Sequence, residues 1–184
     1  MTTGRRSALL VATDRYEDDG FTELRAPAGD AAELAEVLAD PGIGGFEVQP
    51  PLLNQPEGVV RREIDGFLDS ARLGDTVLHY ISGHGVLSHT GQLFFAMVDT
   101  LLGRLRSTAV PGAFVHEAMT HSRAHRKVLI RDSLTATEQP GNFEAAFTGF
   151  TGGGIDLVGP GVTLAGEDLL APLRLLVERG RGAA

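Results

Sequence analysis

The chain has 184 residues, enough for one buried core, and its 42% apolar and 22% charged content excludes a disordered polymer. It contains no cysteine, which excludes disulfides, thiolate metal sites and a thiol nucleophile within these residues. A net charge of −8 argues against a nucleic-acid groove. The longest apolar runs, Ala8 to Ala12 and Leu93 to Val98, fall far short of the ~20 residues a membrane span needs. No charged n-region followed by an apolar h-region of signal-peptide length opens the chain, so no secretion signal is expected and a cytoplasmic location is. Lys127 is the one lysine among 16 basic residues, which with 24 glycines points to a GC-rich bacterial origin.

In chain order, Ser7 to Thr13 is short and apolar and predicts a buried strand. Pro27 opens a helical pattern of Ala31, Leu34, Ala35 and Leu38, closed by Pro41-Gly42. Phe46 to Gln49 alternates like a strand. Val59, Ile64, Phe67 and Leu68 recur at helical spacing, with Glu57, Arg61, Arg62, Asp65 and Asp69 on the wet side. Asp75 to Ser82 predicts another strand that runs into Gly83-His84-Gly85. Gln92 to Val98 follows the turn at Thr90-Gly91 as a hairpin arm. Pro111 to Arg123 reads as a helix and Lys127 to Asp132 as a further strand. After Asp132 the signal weakens: residues 133–153 lack a clean period, Ile155 to Val158 suggests one more strand, and Glu167 to Arg179 reads as a closing helix. Alternating strands and helices imply a parallel sheet with crossover helices, an α/β sandwich in one domain spanning residues 1–184.

In such sheets ligands bind beyond the carboxyl ends of the strands. Thr13-Asp14, Ser82-Gly83-His84-Gly85 and Arg131-Asp132-Ser133 therefore share one rim. Glycines on both sides of His84 allow a sharp turn and free a peptide N–H beside the imidazole, as a general base next to an oxyanion donor requires. A histidine in a Gly-rich turn is the plain alternative. Asp14 can reach the pocket or cap a turn. Arg131 can give the pocket a positive charge for a carboxylate or sulfate, or form a structural ion pair.

Four stretches carry a resemblance: Ala8 to Tyr16, Leu24 to Ala31, Ile43 to Phe46 and Asp75 to Gly85. Leu93 to Ala96, Thr108 to Val115 and Val128 to Ser133 continue it. Together they resemble the caspase/metacaspase superfamily (clan CD, peptidase C14), above all its small bacterial caspase-like domains. The likeness is strongest over residues 7–133, and residues 134–184 diverge. It implies a three-layer sandwich with a mostly parallel central sheet, helices on both faces, and a C-terminal part shortened beyond Asp132. It further implies that His84 is the family's catalytic histidine and that the Gly85 N–H is its oxyanion donor. Asp132 matches the aspartate of the family's Asp-x-Cys motif, which in basic-specific members helps to line the pocket for arginine or lysine. Ser133 fills the variable middle position. Leu134 stands where the nucleophilic cysteine belongs, Thr135-Ala136-Thr137 departs from the usual segment, and Arg131 replaces an apolar residue.

A leucine has no nucleophilic atom, so cysteine-peptidase activity is not expected. Ser133 is the remaining hydroxyl candidate, but adjacent strand residues face opposite ways and a hydroxyl needs an oriented base far more than a thiol does. The leading expectation is a catalytically silent caspase-like domain that binds a partner protein as a subunit of a heteromer, with a homo-oligomer as the other option. The alternative is a non-proteolytic enzyme, or enzyme subunit, of bacterial small-molecule biosynthesis that uses His84 as acid/base with Asp132 or Arg131 orienting the ligand. Serine-dependent hydrolysis through Ser133 comes third. Phe143, Phe147 and Phe150 are candidate contact residues whose default role is packing.

No metal and no cofactor are expected. His121 and His125 share a helix end without a third ligand, His79 and His84 diverge, and His89 and His116 are expected at the surface. Arg123, Arg126 and Lys127 read as a wet helix end. Gly152-Gly153-Gly154 lacks the phosphate-loop Lys-Ser/Thr and reads as a turn.

Overall fold

The computed structural model describes residues 4–132 and 155–158. Its centre is a sheet of six parallel strands in the order β2-β1-β4-β8-β9, with β3 also paired to β1. The strands are β1 (Arg6–Ala12), β2 (Glu47–Val48), β3 (Leu52–Leu53), β4 (Thr76–Ser82), β8 (Arg126–Asp132) and β9 (Ile155–Val158). Strands β5 (Gly85–Leu87), β6 (Leu93–Phe95) and β7 (Val110–Pro111) form a separate antiparallel sheet. Arg6 to Ala12 lie beside Thr76 to Ser82, which in turn lie beside Arg126 to Asp132. The chain reads as near-continuous apolar runs here because both faces of a parallel sheet are covered.

The two faces pack against different helices. Ala8, Leu10, Leu78, Tyr80, Val128 and Ile130 cluster with Ala31, Leu34 and Leu38 of α1 (Pro27–Ala39). Leu9, Val11, Val77, Ile81 and Leu129 cluster with Val60, Ile64 and Phe67 of α2 (Glu57–Asp69) and with Val115 and Met119 of α4 (Gly112–His121). The period-two alternation of strand side chains makes this division. A short α3 (Leu105–Thr108) precedes β7.

Helix α1 starts with proline in its first turn and carries Asp30 there, which suits the positive end of the helix dipole. Helix α2 takes its cap from far along the chain, where Asp99 accepts the Glu57 N–H at 2.8 Å. The strand expected over Phe46 to Gln49 is present as β2, and a second short strand, β3, which the sequence reading did not mark, follows it on the same side of β1. Pro50 and Pro51 separate them, because neither can donate to the ladder. The flanking bonds, Gln49 N–H to Ala8 O and Asn54 N–H to Ala12 O, keep both pieces in place. The hairpin arm after Gly91 is β6, paired with β5. The strand expected at Ile155 to Val158 is present as β9, parallel to β8. The closing helix expected over Glu167 to Arg179 lies outside the described residues.

Two further expectations are corrected. Lys127 is buried on β8 and donates to the Thr120 carbonyl at 3.3 Å, so it seals the end of α4 and is not part of a wet patch. His116 is half-buried on α4, not at the surface. Among the described residues no helix is long and apolar enough to cross a membrane.

Candidate active site

The carboxyl ends of β1, β4 and β8 form the rim, and the loop from Thr13 to Ala26 folds over it. Thr13 N–H to Ser82 O (3.0 Å) extends the β1–β4 pairing by one step. Leu24 N–H to Asp14 O and Glu17 N–H to Val98 O tie the loop to itself and to the turn that follows β6. Asp18 accepts N–H groups from Gly20 and, across the loop, from Leu102, and these bonds hold its carboxyl below the ordinary value.

At the centre of this cradle sits His84, buried at 6% exposure. Its Nε2 lies 2.7 Å from the Thr22 carbonyl oxygen. A carbonyl only accepts, so Nε2 carries the hydrogen and the neutral ring keeps its lone pair on Nδ1. No described residue hydrogen-bonds Nδ1. Two rings flank the imidazole, Tyr16 with centroids 5.0 Å away and Phe21 at 5.6 Å, themselves 5.0 Å apart. The Tyr16 hydroxyl accepts the backbone N–H of His84 at 3.0 Å and donates to the Thr13 carbonyl at 2.8 Å. Burial pushes the phenol up to about 12, against the opposing pull of the His84 N–H, so it stays protonated as a donor.

Gly83 makes the turn possible. Its φ is +144°, and a Cβ there would meet Thr13 O at 3.0 Å and the Tyr16 hydroxyl at 3.1 Å. Any side chain would both strain the backbone and displace the groups that hold His84. Gly85, on the other side, opens β5. Ala96 N–H to His84 O and Ser88 N–H to Gln92 O mark alternate residues as the hydrogen-bonded pairs of the β5–β6 ladder. Gly85 opposite Phe95 is therefore a non-hydrogen-bonded pair, and its N–H points away from β6, along the open edge of this small sheet. The site thus combines an imidazole with a lone pair on Nδ1 and, one residue on, a backbone N–H that the sheet leaves unused. That pairing suits proton acceptance beside a developing negative charge.

The other expected site residues fall as follows. Asp14 is engaged by Asn54, whose amide donates to its carboxylate at 2.8 Å while the Asn54 carbonyl oxygen accepts the N–H groups of Asp14 and Arg15. Asn54 adopts a φ of +50°, and this clamp fixes how the loop leaves β1. Arg131 is buried at 7% exposure, beside Ile81 in the sheet register. The Asp132 backbone lies opposite Ser82, two residues before His84. Ser133, Leu134 and Phe143, Phe147 and Phe150 lie outside the described residues.

His79, on β4 opposite Leu9, is fully buried, with Nδ1 donating to the Leu9 carbonyl at 3.1 Å and Nε2 without a described partner. Burial pushes it down to about 4 and keeps it neutral. Among the described residues no group of three or more His, Asp or Glu is placed to hold a metal ion. His121 instead closes α4, its Nδ1 on the Glu117 carbonyl. The cleft between α2 and α4 measures about 400 Å³ and is lined by Asp65, Asp69, Phe114, Glu117 and His121 among others. It lies where those helices lead toward the starts of β4 and β8, away from the rim.

Thr22, Tyr16 and Asn54 carry the cradle, and sequence reading assigned none of them a role. Thr22 contributes a backbone oxygen, which has no residue signature. The loop residues gave no periodic signal that could have been read.

No sequence-family model matches the chain. No curated protein matches it either. Solved structures do. Protein GSU0716 from Geobacter sulfurreducens aligns with a TM-score of 0.58 at 18% identity, covering 72% of this chain and 52% of that one. The structure of pro-Sf-caspase-1 aligns at 0.55 and 13%, covering 90% of this chain and 52% of that one. Caspase-1 from Spodoptera frugiperda aligns at 0.53 and 15%, covering 74% and 53%. The chain spans about half the length of each of these structures. At such identities the likeness concerns the fold alone: a caspase-like α/β architecture with a mostly parallel central sheet.

Proposed function

We propose that this chain is a caspase-like domain without cysteine-peptidase chemistry, which acts by binding a second protein as a subunit of a heteromeric complex. The observation that carries the reading is an oriented His84 in a chain whose 184 residues contain no sulfur nucleophile. The caspase-like resemblance puts Leu134 at the nucleophile's position, and a hydrocarbon branch cannot attack a carbonyl. What such a domain keeps is its shape and its rim, and those are the properties a binding subunit uses.

The test has two parts. Purified protein incubated with fluorogenic peptides ending in arginine, lysine or aspartate is expected to release no fluorophore above a His84→Ala control. Protein isolated from its native host under gentle conditions is expected to run as a complex of fixed stoichiometry with one other polypeptide, by light scattering and intact-mass measurement. Hydrolysis by repurified material that His84→Ala abolishes would overturn the first part. A monodisperse monomer would overturn the second.

One observation favours a second reading. Nδ1 of His84 is the lone-pair nitrogen and Gly85 N–H is spared by its ladder, so the pocket supports acid–base work on a small molecule without a nucleophile of its own. Here His84→Ala would abolish a turnover while leaving the fold and any complex intact.

A further inference from the structure

We infer that Tyr16 is a positioning residue: its hydroxyl, by taking the His84 backbone N–H, keeps the imidazole seated with Nε2–H on the Thr22 carbonyl and Nδ1 as the acceptor nitrogen. The inference goes beyond the reading of function above and does not depend on a partner.

His84 follows the end of β4, where its N–H has left the parallel ladder, and its carbonyl has already been taken by Ala96 N–H of the small sheet. The Tyr16 hydroxyl fills the gap as acceptor at 3.0 Å. It can do so in only one sense, because its own hydrogen is committed to Thr13 O at 2.8 Å. The result is a chain of bonds from the His84 N–H through the phenol to the carbonyl of Thr13, the residue just past β1. One polar group therefore anchors the histidine's main chain to the neighbouring strand.

The ring of the same tyrosine packs beside the imidazole on the side shared with Phe21, within 5.0 Å of both. A second restraint acts at the far edge of the imidazole, where Thr22 O receives Nε2–H. Thr22 and Tyr16 belong to the same loop, so the main-chain anchor and the tautomer anchor lie six residues apart on one segment. Removing the hydroxyl leaves a buried N–H and a carbonyl without their partner, a cost a protein relieves by shifting the turn. A shift of that turn carries the ring away from Thr22 O and releases the preference for hydrogen on Nε2.

Nitrogen-15 NMR of histidine-labelled protein reads this directly, because the protonated and bare ring nitrogens resonate far apart. In the wild type, His84 should show one protonated nitrogen, Nε2, and one bare nitrogen, Nδ1, with a His84 amide that exchanges slowly. Tyr16→Phe keeps the ring and removes the hydroxyl. It should draw the two nitrogen resonances toward each other and speed exchange of the His84 amide at least tenfold. Phe21→Leu removes a neighbouring ring but keeps the hydroxyl, and should leave the tautomer unchanged. A wild-type spectrum from folded Tyr16→Phe, or equal loss in both variants, would overturn the inference. Should Tyr16→Phe not fold, the wild-type protein still decides: a mixed tautomer, or a His84 amide as fast as those of the exposed loop at Thr90, would sink it.

Discussion

His79 and His84 sit five residues apart on one run of chain, yet the protein holds them by different means. His79 lies inside β4, where neighbouring strands and helices on one face surround it with apolar side chains. One nitrogen finds the Leu9 carbonyl, the other finds no described partner, and charge is suppressed. His84 lies just past the strand, where glycines let the backbone turn and a polar loop supplies Thr22 O and the Tyr16 hydroxyl. The first is a core residue that happens to be titratable. The second has a specific seat. Burial alone does not tell the two apart, since both are buried. What separates them is the number and source of the polar holds: His79 has one carbonyl of the adjacent strand, whereas a loop folded over the rim gives His84 both Thr22 O on its ring and the Tyr16 hydroxyl on its main-chain N–H.

The sharpest way to break that contrast is acid. His79 has its folded pKa depressed from 6.5 to about 4, so the unfolded chain binds a proton that the native one refuses. Stability is full above pH 6.5, declines as pH falls toward 4, and levels off below it. The loss approaches ~3 kcal/mol. Urea melts at pH 7.5 and pH 4.5 should show it, and His79→Leu should flatten the slope. An unchanged slope in that variant would return His79 to the status of a wet residue.

Next comes the turn. Gly83→Ala forces a side chain into a positive-φ position against Thr13 O and should cost ~2 kcal/mol, read as a lowered denaturant midpoint. It should also disturb His84 while sparing the environment of His79. If both histidines respond alike, the two regions are not independent.

A smaller effect separates the acid responses. Asp75 accepts Arg72 N–H and Arg5 N–H at 2.9 Å each, and the bond from Arg72 does most to hold its carboxyl below the ordinary 3.8. Its contribution is present above that value and lost as pH falls further, below the His79 window. Asp75→Asn should cost ~1 kcal/mol at neutral pH and weaken the acid response below the His79 window, to which Asp18 also contributes. Smallest of all is Arg61→Ala. It removes the guanidinium 4.6 Å above the Phe114 ring and the exposed pair with Glu57, for ~0.5 kcal/mol, and touches neither histidine.

The sequence made the framework legible where one rule dominates. The continuous apolar run of β1, the spacing of Ala31, Leu34 and Leu38, and that of Ile64 and Phe67 each reflect burial on a regular period. Elements built by exception were harder to read. Pro50-Pro51 ends the strand read at Phe46 to Gln49, and the two-residue strand beyond it went unread. The 52–53 and 110–111 strands are too short for any periodicity to register. Lys127 looked wet because its charge suggested solvent, whereas its stem lies in the sheet and its head meets a helix-end carbonyl. At the rim, Ser82-Gly83-His84-Gly85 pointed to the turn, since glycine has few other uses at such a spot. The seat around it is made of main-chain oxygens and a hydroxyl from a loop without period, and neither leaves a pattern in composition or spacing.

The contact between His84 and Thr22 has a consequence for how such a pocket ages. The atom that orients the ring belongs to the peptide unit, which every amino acid supplies, proline included. Point substitutions at position 22 can alter the side chain without deleting that oxygen. A cysteine or a serine, by contrast, is erased by a single codon change. A lineage that loses its reactive atom can therefore keep its imidazole aimed for long afterwards, ready for another use by drift or by recruitment.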